Sequence, residues 1–164
     1  MIKTGIGYDV HQLKAGVPLI IGGVMVQSPL GSVGHSDGDG LIHAISDSLL
    51  GASGLGDIGT FFPSDSKKWE NAESRLFLNE VNKMVLETGY YISNIDCTIV
   101  IQKPKLSSYI PDIKKNISKI LNVGQNNISI KATTTDYLGF IGESKGWSVI
   151  AVSTIYSADE KSSY

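Results

Sequence analysis

The order in which apolar periodicities follow one another leaves this chain few folds. Met1 to Val10 reads as a first strand, and Val17 to Val26 as two short strands about Gly22-Gly23. A glycine- and aspartate-rich loop from Gly31 to Gly40 leads into a helix from about Asp39 to Leu50. Its stripe is Leu41, Ile42, Ile45, Leu49 and Leu50, with Gly51 as its stop. Leu55 to Ser66 is irregular. Ala72 to Thr88 is a second helix, apolar at Leu76, Phe77, Val81, Val85 and Leu86 and ended by Gly89. Tyr90 to Gln102 is the longest strand candidate. Pro111 to Leu121 is a helix opened by proline, and Ile128 to Thr133 and Trp147 to Tyr156 are strands. This order predicts an α+β sandwich, a mixed β-sheet covered on one face by helices.

At 164 residues the chain is expected to be one domain over 1–157, followed by a polar tail over 158–164. Hydrophobic residues make up 41% and charged residues 18%, enough of each for a buried core and a solvated surface. A net charge of −2 argues against nucleic acid or acidic membrane as a partner, while leaving room for a local basic pocket. The single cysteine, Cys97, excludes an intrachain disulfide and reads as packed in its strand. No apolar run reaches the roughly 20 residues needed to span a bilayer. The beginning lacks the apolar region of a secretory signal, so the expected location is cytoplasmic.

Two of the three histidines stand beside carboxylates. In an extended Asp9-Val10-His11 segment, both polar side chains point to one side. His43 on the following helix can complete a two-histidine, one-carboxylate set, the ligand pattern of catalytic zinc with an open position. Asp39 and Asp47, four residues either side of His43, compete with Asp9 as ligands. Asp39 has an alternative as helix N-cap, and Asp47 as a partner orienting the His43 ring. A second cluster, Lys131-Ala132-Thr133-Thr134-Thr135-Asp136-Tyr137, offers a cation, hydroxyls and a carboxylate at a strand end, the groups a diphosphate needs. Lys103-Pro104-Lys105 either meets phosphate or discourages edge pairing. Gly54 to Gly59 follows a helix and lacks the strand-turn-helix context of a dinucleotide fingerprint.

Six motifs then occur in order: Gly7-Tyr8-Asp9-Val10-His11, Ile21-Gly22-Gly23-Val24, His35-Ser36-Asp37-Gly38-Asp39, Leu49-Leu50-Gly51-Ala52, Gly56-Asp57-Ile58-Gly59 and Lys131-Ala132-Thr133-Thr134-Thr135. Together they resemble the 2-C-methyl-D-erythritol 2,4-cyclodiphosphate synthase family, over about residues 2 to 156. The resemblance implies a homotrimer with its sheets toward the axis and active sites between subunits. It implies cyclisation of 4-diphosphocytidyl-2-C-methyl-D-erythritol 2-phosphate with release of CMP, a phosphorus-oxygen lyase step of non-mevalonate isoprenoid biosynthesis. By matching position, Asp9, His11 and His43 would hold Zn2+, and His35 and Thr134 would steady the transition state. Asp136 would hold Mg2+ or Mn2+ between the phosphates. Ser36, Asp57, Ile58 and Gly59 match substrate contacts around the erythritol and phosphates, continued by Phe62, Ser64, Asp65 and Ser66. Ile101, Lys103, Pro104, Lys105, Leu106 and Ser107, with Thr133, would line the cytidine pocket from the neighbouring subunit. Phe140 and Glu143 fall at further ligand-contacting positions.

Three positions depart from the family pattern. Asp136 stands where Glu is usual and is one methylene shorter. Glu143 stands where Arg is common, reversing a charge that Lys145 partly restores. Ser64 replaces a frequent Asp, with Asp65 adjacent. Two other readings use the same residues: a metal-dependent phosphohydrolase in which the ion activates water, and a nucleotide-binding trimer that has lost turnover. Products separate them, because hydrolysis releases inorganic phosphate and mere binding yields no cyclic product.

Overall fold

The computed structural model describes residues 1–34, 36–63 and 72–157. Five strands form a mixed sheet in the order β4-β1-β7-β5-β6, where β1 is Ile2–Ala15, β4 Leu30–Val33, β5 Tyr90–Val100, β6 Ile128–Thr133 and β7 Gly146–Ser157. All pairs are antiparallel except β5 with β6, which are joined through helix α4 (Ile110–Leu121) as a parallel crossover requires. β2 (Leu19–Ile21) and β3 (Val24–Val26) form a separate hairpin. Its two turn residues, Gly22 and Gly23, have φ of 60° and 72°, the left-handed pair that a tight hairpin favours.

Helices α1 (Gly40–Ser53), α3 (Ser74–Glu87) and α4 cover one face of the sheet, as the α+β sandwich requires. Alternation along β1 turns Gly5, Gly7, Asp9, His11 and Leu13 toward the helices. Gly5 and Gly7 let α1 lie directly on the strand. A Cβ at Gly7 would sit 2.0 Å from the Ala44 carbonyl oxygen, and one at Gly5 2.1 Å from that of Ser48. This close approach brings the first turn of α1 over Asp9. The opposite sheet face carries Ile2, Ile6, Tyr8 and Val10 of β1 beside Ile150 and Val152 of β7, and these side chains are exposed.

Several boundaries differ from the sequence reading. β1 runs to Ala15, longer than β5, because its second half pairs with β4 on one edge and with the start of β7 on the other. β4 lies inside the segment expected to be a loop. Helix α1 passes through Gly51 and ends at Gly54, whose φ of 74° lets its N–H cap the Gly51 and Leu50 carbonyls. The irregular segment after it contains a single helical turn, α2 (Ile58–Phe61). Among the described residues no helix is long and apolar enough to cross a membrane.

Candidate metal centre

Asp9, His11 and His43 meet at the seam between β1 and α1. His11 Nε2 lies 2.9 Å and His43 Nδ1 3.0 Å from Asp9 Oδ2. One ligand atom from each residue falls within 4.8 Å of the other two. The outer ring nitrogens are engaged as well. His11 Nδ1 lies 2.9 Å from the Val33 carbonyl, which can only accept, so that nitrogen carries a hydrogen and Nε2 is the nitrogen a metal would take. His43 Nε2 lies 3.1 Å from Ser74 Oγ and 3.3 Å from Ser36 Oγ. Trp147 stacks on His11 with ring centroids 6.2 Å apart, and Phe77 on His43 at 6.3 Å, so each imidazole has an apolar wall. Two nitrogens and one carboxylate oxygen converging from a strand and a helix fit a divalent metal with a position left for an outside ligand.

Burial opposes ionisation of Asp9, but hydrogen bonds from His11 and His43 and their charge outweigh it and hold the carboxyl well below its ordinary range. Burial likewise opposes the charged form of His11, yet the Asp9 hydrogen bond and the Val33 carbonyl raise its pKa above 6.5. A raised histidine pKa stabilises the fold fully below 6.5 and loses that contribution as pH rises through the folded value. Asp9 contributes above 3.8 and loses its contribution in acid below that. The melting temperature of metal-stripped protein should therefore fall as pH rises past 6.5. Saturating zinc should reverse that trend, since metal competes with protons for the same nitrogens. Calorimetry of both forms across pH checks it.

The two competing carboxylates are engaged elsewhere. Asp39 is fully buried and caps α1. It accepts N–H bonds from Ile42 at 3.1 Å, Gly22 at 2.9 Å and Gly23 at 2.6 Å, which tie the β2–β3 turn to the helix. Burial pushes its carboxyl up to about 6 against those bonds. Asp47 accepts the Ile58 N–H at 2.7 Å, anchoring the α1–α2 loop and leaving the His43 ring to other partners. In that loop Asp57 caps α2 by accepting from the Thr60 N–H and hydroxyl at 2.9 and 3.0 Å, and Ile58 and Gly59 open the turn. Phe62 packs on Phe77 at 4.8 Å, next to the ring that covers His43. Ser36 joins the centre through His43. His35, Ser64, Asp65 and Ser66 lie outside the described residues.

A cavity of about 630 Å³ opens where the parallel strands β5 and β6 end. Ile101, Pro104, Lys105, Leu106, Ser107 and Thr133, which the sequence grouped together, line this one cavity, whereas Lys103 on the same loop does not. Thr134 lines it too. Its hydroxyl accepts the Asp136 N–H at 3.2 Å and lies 3.3 Å from Asp136 Oδ1. Asp136 and Tyr137 both have left-handed backbones, φ 50° and 67°, and the Tyr137 N–H donates to Gln102 Oε1 at 3.1 Å. That contact closes the β6 turn against the Lys103–Lys105 loop. Phe140 is half exposed on the short helix α5 (Gly139–Gly142), and Glu143 just after it pairs with Lys145. Lys131 does not supply the expected cation: it pairs with Asp96 of β5 on the uncovered sheet face.

Ser74 and Trp147 were not among the expected site residues. Ser74 and Trp147 reach the centre across 31 and 136 positions of sequence from the histidines they touch, and no local pattern signals either contact.

A model of the YgbB family matches residues 2–156. A Clostridium acetobutylicum protein named 2-C-methyl-D-erythritol 2,4-cyclodiphosphate synthase is 51% identical over 88% of this chain and 94% of its own. A relative of the same name from Clostridium kluyveri is 47% identical over 95% of each chain. The CDP complex of Plasmodium falciparum IspF superposes with a TM-score of 0.84 at 37% identity, over 95% of this chain and 96% of that one. The bifunctional IspDF of Campylobacter jejuni gives a TM-score of 0.91 at 39% identity; 94% of this chain corresponds to 42% of that larger protein. With a family match along nearly its whole length and relatives about half identical to it, this chain belongs to the YgbB family.

Proposed function

We propose that this chain cyclises 4-diphosphocytidyl-2-C-methyl-D-erythritol 2-phosphate. The 2-phosphate oxygen attacks the β-phosphorus, the bond from that phosphorus to the CMP oxygen breaks, and CMP leaves beside 2-C-methyl-D-erythritol 2,4-cyclodiphosphate. The observation that carries this reading is the convergence of Asp9, His11 and His43 in a chain of this family. These residues would hold zinc, and Asp136 the magnesium or manganese between the phosphates. When bound, the ions supply positive charge that offsets repulsion between a phosphate monoester and a diphosphate. The chain's own task is alignment, and no covalent protein nucleophile is required. Lys105 and the backbone around Pro104 grip the nucleotide. Asp57, Ile58 and Gly59, fixed to α1 through Asp47, position the erythritol phosphate. Thr134, with His35, steadies the charge that develops on the transferred phosphorus. Asp136 would meet the phosphates from a left-handed turn braced by Thr134.

The working assembly is a homotrimer that packs its uncovered sheet faces around the axis. Exposed Ile2, Ile6, Tyr8 and Val10 on a face without helices support this, because a row of large apolar side chains is costly to leave in water. Within one chain the Asp9 row of β1 runs through Val149 and Ile99 to Ala132, so three strand spacings, about 14 Å, separate the metal centre from the nucleotide cavity. A neighbouring copy supplies the cavity that faces each centre. Mixing His43→Ala with Lys105→Glu subunits tests this: random reassembly should restore about one quarter of the wild-type sites. Activity no greater than the sum of the two variants would contradict shared sites.

A further inference from the structure

The outer nitrogen of His43 leads to a carboxylate. Its Nε2 lies 3.1 Å from the hydroxyl of Ser74, and that hydroxyl donates to Asp37 Oδ1. The other Asp37 oxygen, Oδ2, accepts the Ser74 backbone N–H at 2.9 Å. Asp37 thereby caps α3 from outside, where the helix's own N-cap residue, Glu73, makes no side-chain cap bond. Ser74 is completely buried, so its hydroxyl has no competing exchange with bulk water. An ionised carboxylate only accepts, which commits the Ser74 hydrogen to Asp37 and leaves the Ser74 oxygen to accept from His43. The Ser36 hydroxyl is farther from the ring, at 3.3 Å, and lies 3.4 Å from the Ser74 hydroxyl.

We propose that Asp37 and Ser74 are positioning residues of the metal centre, a carboxylate–hydroxyl relay that holds the His43 ring by its outer Nε2 so that Nδ1 is presented to a metal beside Asp9. His11 is oriented in the complementary sense, its Nδ1 bonded to the Val33 carbonyl and its Nε2 facing Asp9. The two rings thus present opposite nitrogens to one point, each locked by a partner on its far side. Such outer partners orient the ring of a ligating histidine and leave its inner nitrogen to the metal. The relay also joins the loop that carries Ser36 and Asp37 to α3 and α1, so one hydroxyl couples three segments around the centre.

This inference rests on the metal-binding reading of Asp9, His11 and His43, and its test separates the two. Ser74→Ala removes the hydroxyl while leaving the backbone N–H that Asp37 caps, at a helix position alanine tolerates. Zinc affinity, read by competition with a chromophoric chelator on the full chain, should weaken about 10- to 100-fold. Long-range proton–nitrogen correlation of the imidazoles in zinc-loaded wild-type protein should show Nε2–H at His43 and Nδ1–H at His11, the inner nitrogens of both rings being taken by the metal. A folded Ser74→Ala chain with wild-type zinc affinity would overturn the relay. So would Nδ1–H at His43 in the zinc-loaded wild-type chain, a result that needs no variant to fold. Failure of the wild-type chain to take up zinc through these three residues would overturn the centre itself, and the relay with it.

Discussion

His43→Ala is expected to lower metal-dependent turnover at least about a thousandfold while leaving a folded chain. The variant removes one of three ligands, and about 4 kcal/mol of lost transition-state charge stabilisation corresponds to that factor. His43 sits in the first turn of α1, and its ring touches Asp9, Ser74 and Phe77. The helix is held by Leu41, Ile42, Ile45, Leu49 and Leu50, all fully buried. Alanine also favours helix, so the stability cost should stay near about 1–2 kcal/mol. Steady-state turnover at saturating zinc, alongside a denaturant titration, separates lost chemistry from lost folding. Near-normal turnover by metal-stripped His43→Ala protein would remove the metal centre from the account.

Gly7→Ala is the largest expected effect on stability. The added methyl would lie 2.0 Å from the Ala44 carbonyl oxygen and 2.9 Å from the Ser48 nitrogen, both backbone atoms that no side-chain rotation can move. Strand and helix must separate, at a cost of about 3 kcal/mol or more. Since β1 carries Asp9 and His11 and α1 carries His43, zinc affinity should fall along with stability. Gly51→Ala on the same helix is the contrast. Gly51 is exposed and a Cβ there meets nothing within 4 Å, so alanine should stabilise by about 0.5–1 kcal/mol. Denaturant midpoints of the two variants should lie on opposite sides of the wild-type value. Equal midpoints would mean that helix and strand are not in the close register described.

The opposite behaviour of these two glycines marks what the chain's local pattern can and cannot reveal. Period-two alternation was enough to place Asp9 and His11 on one side of β1, and the apolar stripe of α1 was enough to make His43 helical. Neither pattern says that the strand and the helix lie against each other, because Gly5 and Gly7 carry no hydrophobic signal. Gly51 looked like a helix stop on residue type alone. The buried Ala52 and Ser53 continue the helix, and the left-handed position falls at Gly54.

Asp39, His43 and Asp47 share helical spacing, yet their partners lie on the β2–β3 turn, on β1 and at the first residue of α2 respectively. Spacing fixes direction along a helix but not what waits there. β4 was hidden for a similar reason: Leu30-Gly31-Ser32-Val33 lacks strand alternation and is held by pairing with residues 12–15. The residues lining the cavity at the ends of β5 and β6 were largely legible, since its walls come from two short segments at adjacent strand ends. Lys131 was misread because Asp96 stands on the neighbouring strand, within reach of its ammonium.

The central claim is intramolecular cyclisation by this chain's own residues. Its most direct test is to incubate purified protein with 4-diphosphocytidyl-2-C-methyl-D-erythritol 2-phosphate, zinc and magnesium, and to identify the products by phosphorus NMR. The account predicts CMP and 2-C-methyl-D-erythritol 2,4-cyclodiphosphate in equal amounts, with none formed after chelation of the metals. Release of inorganic phosphate, or CMP without the cyclic diphosphate, would contradict it.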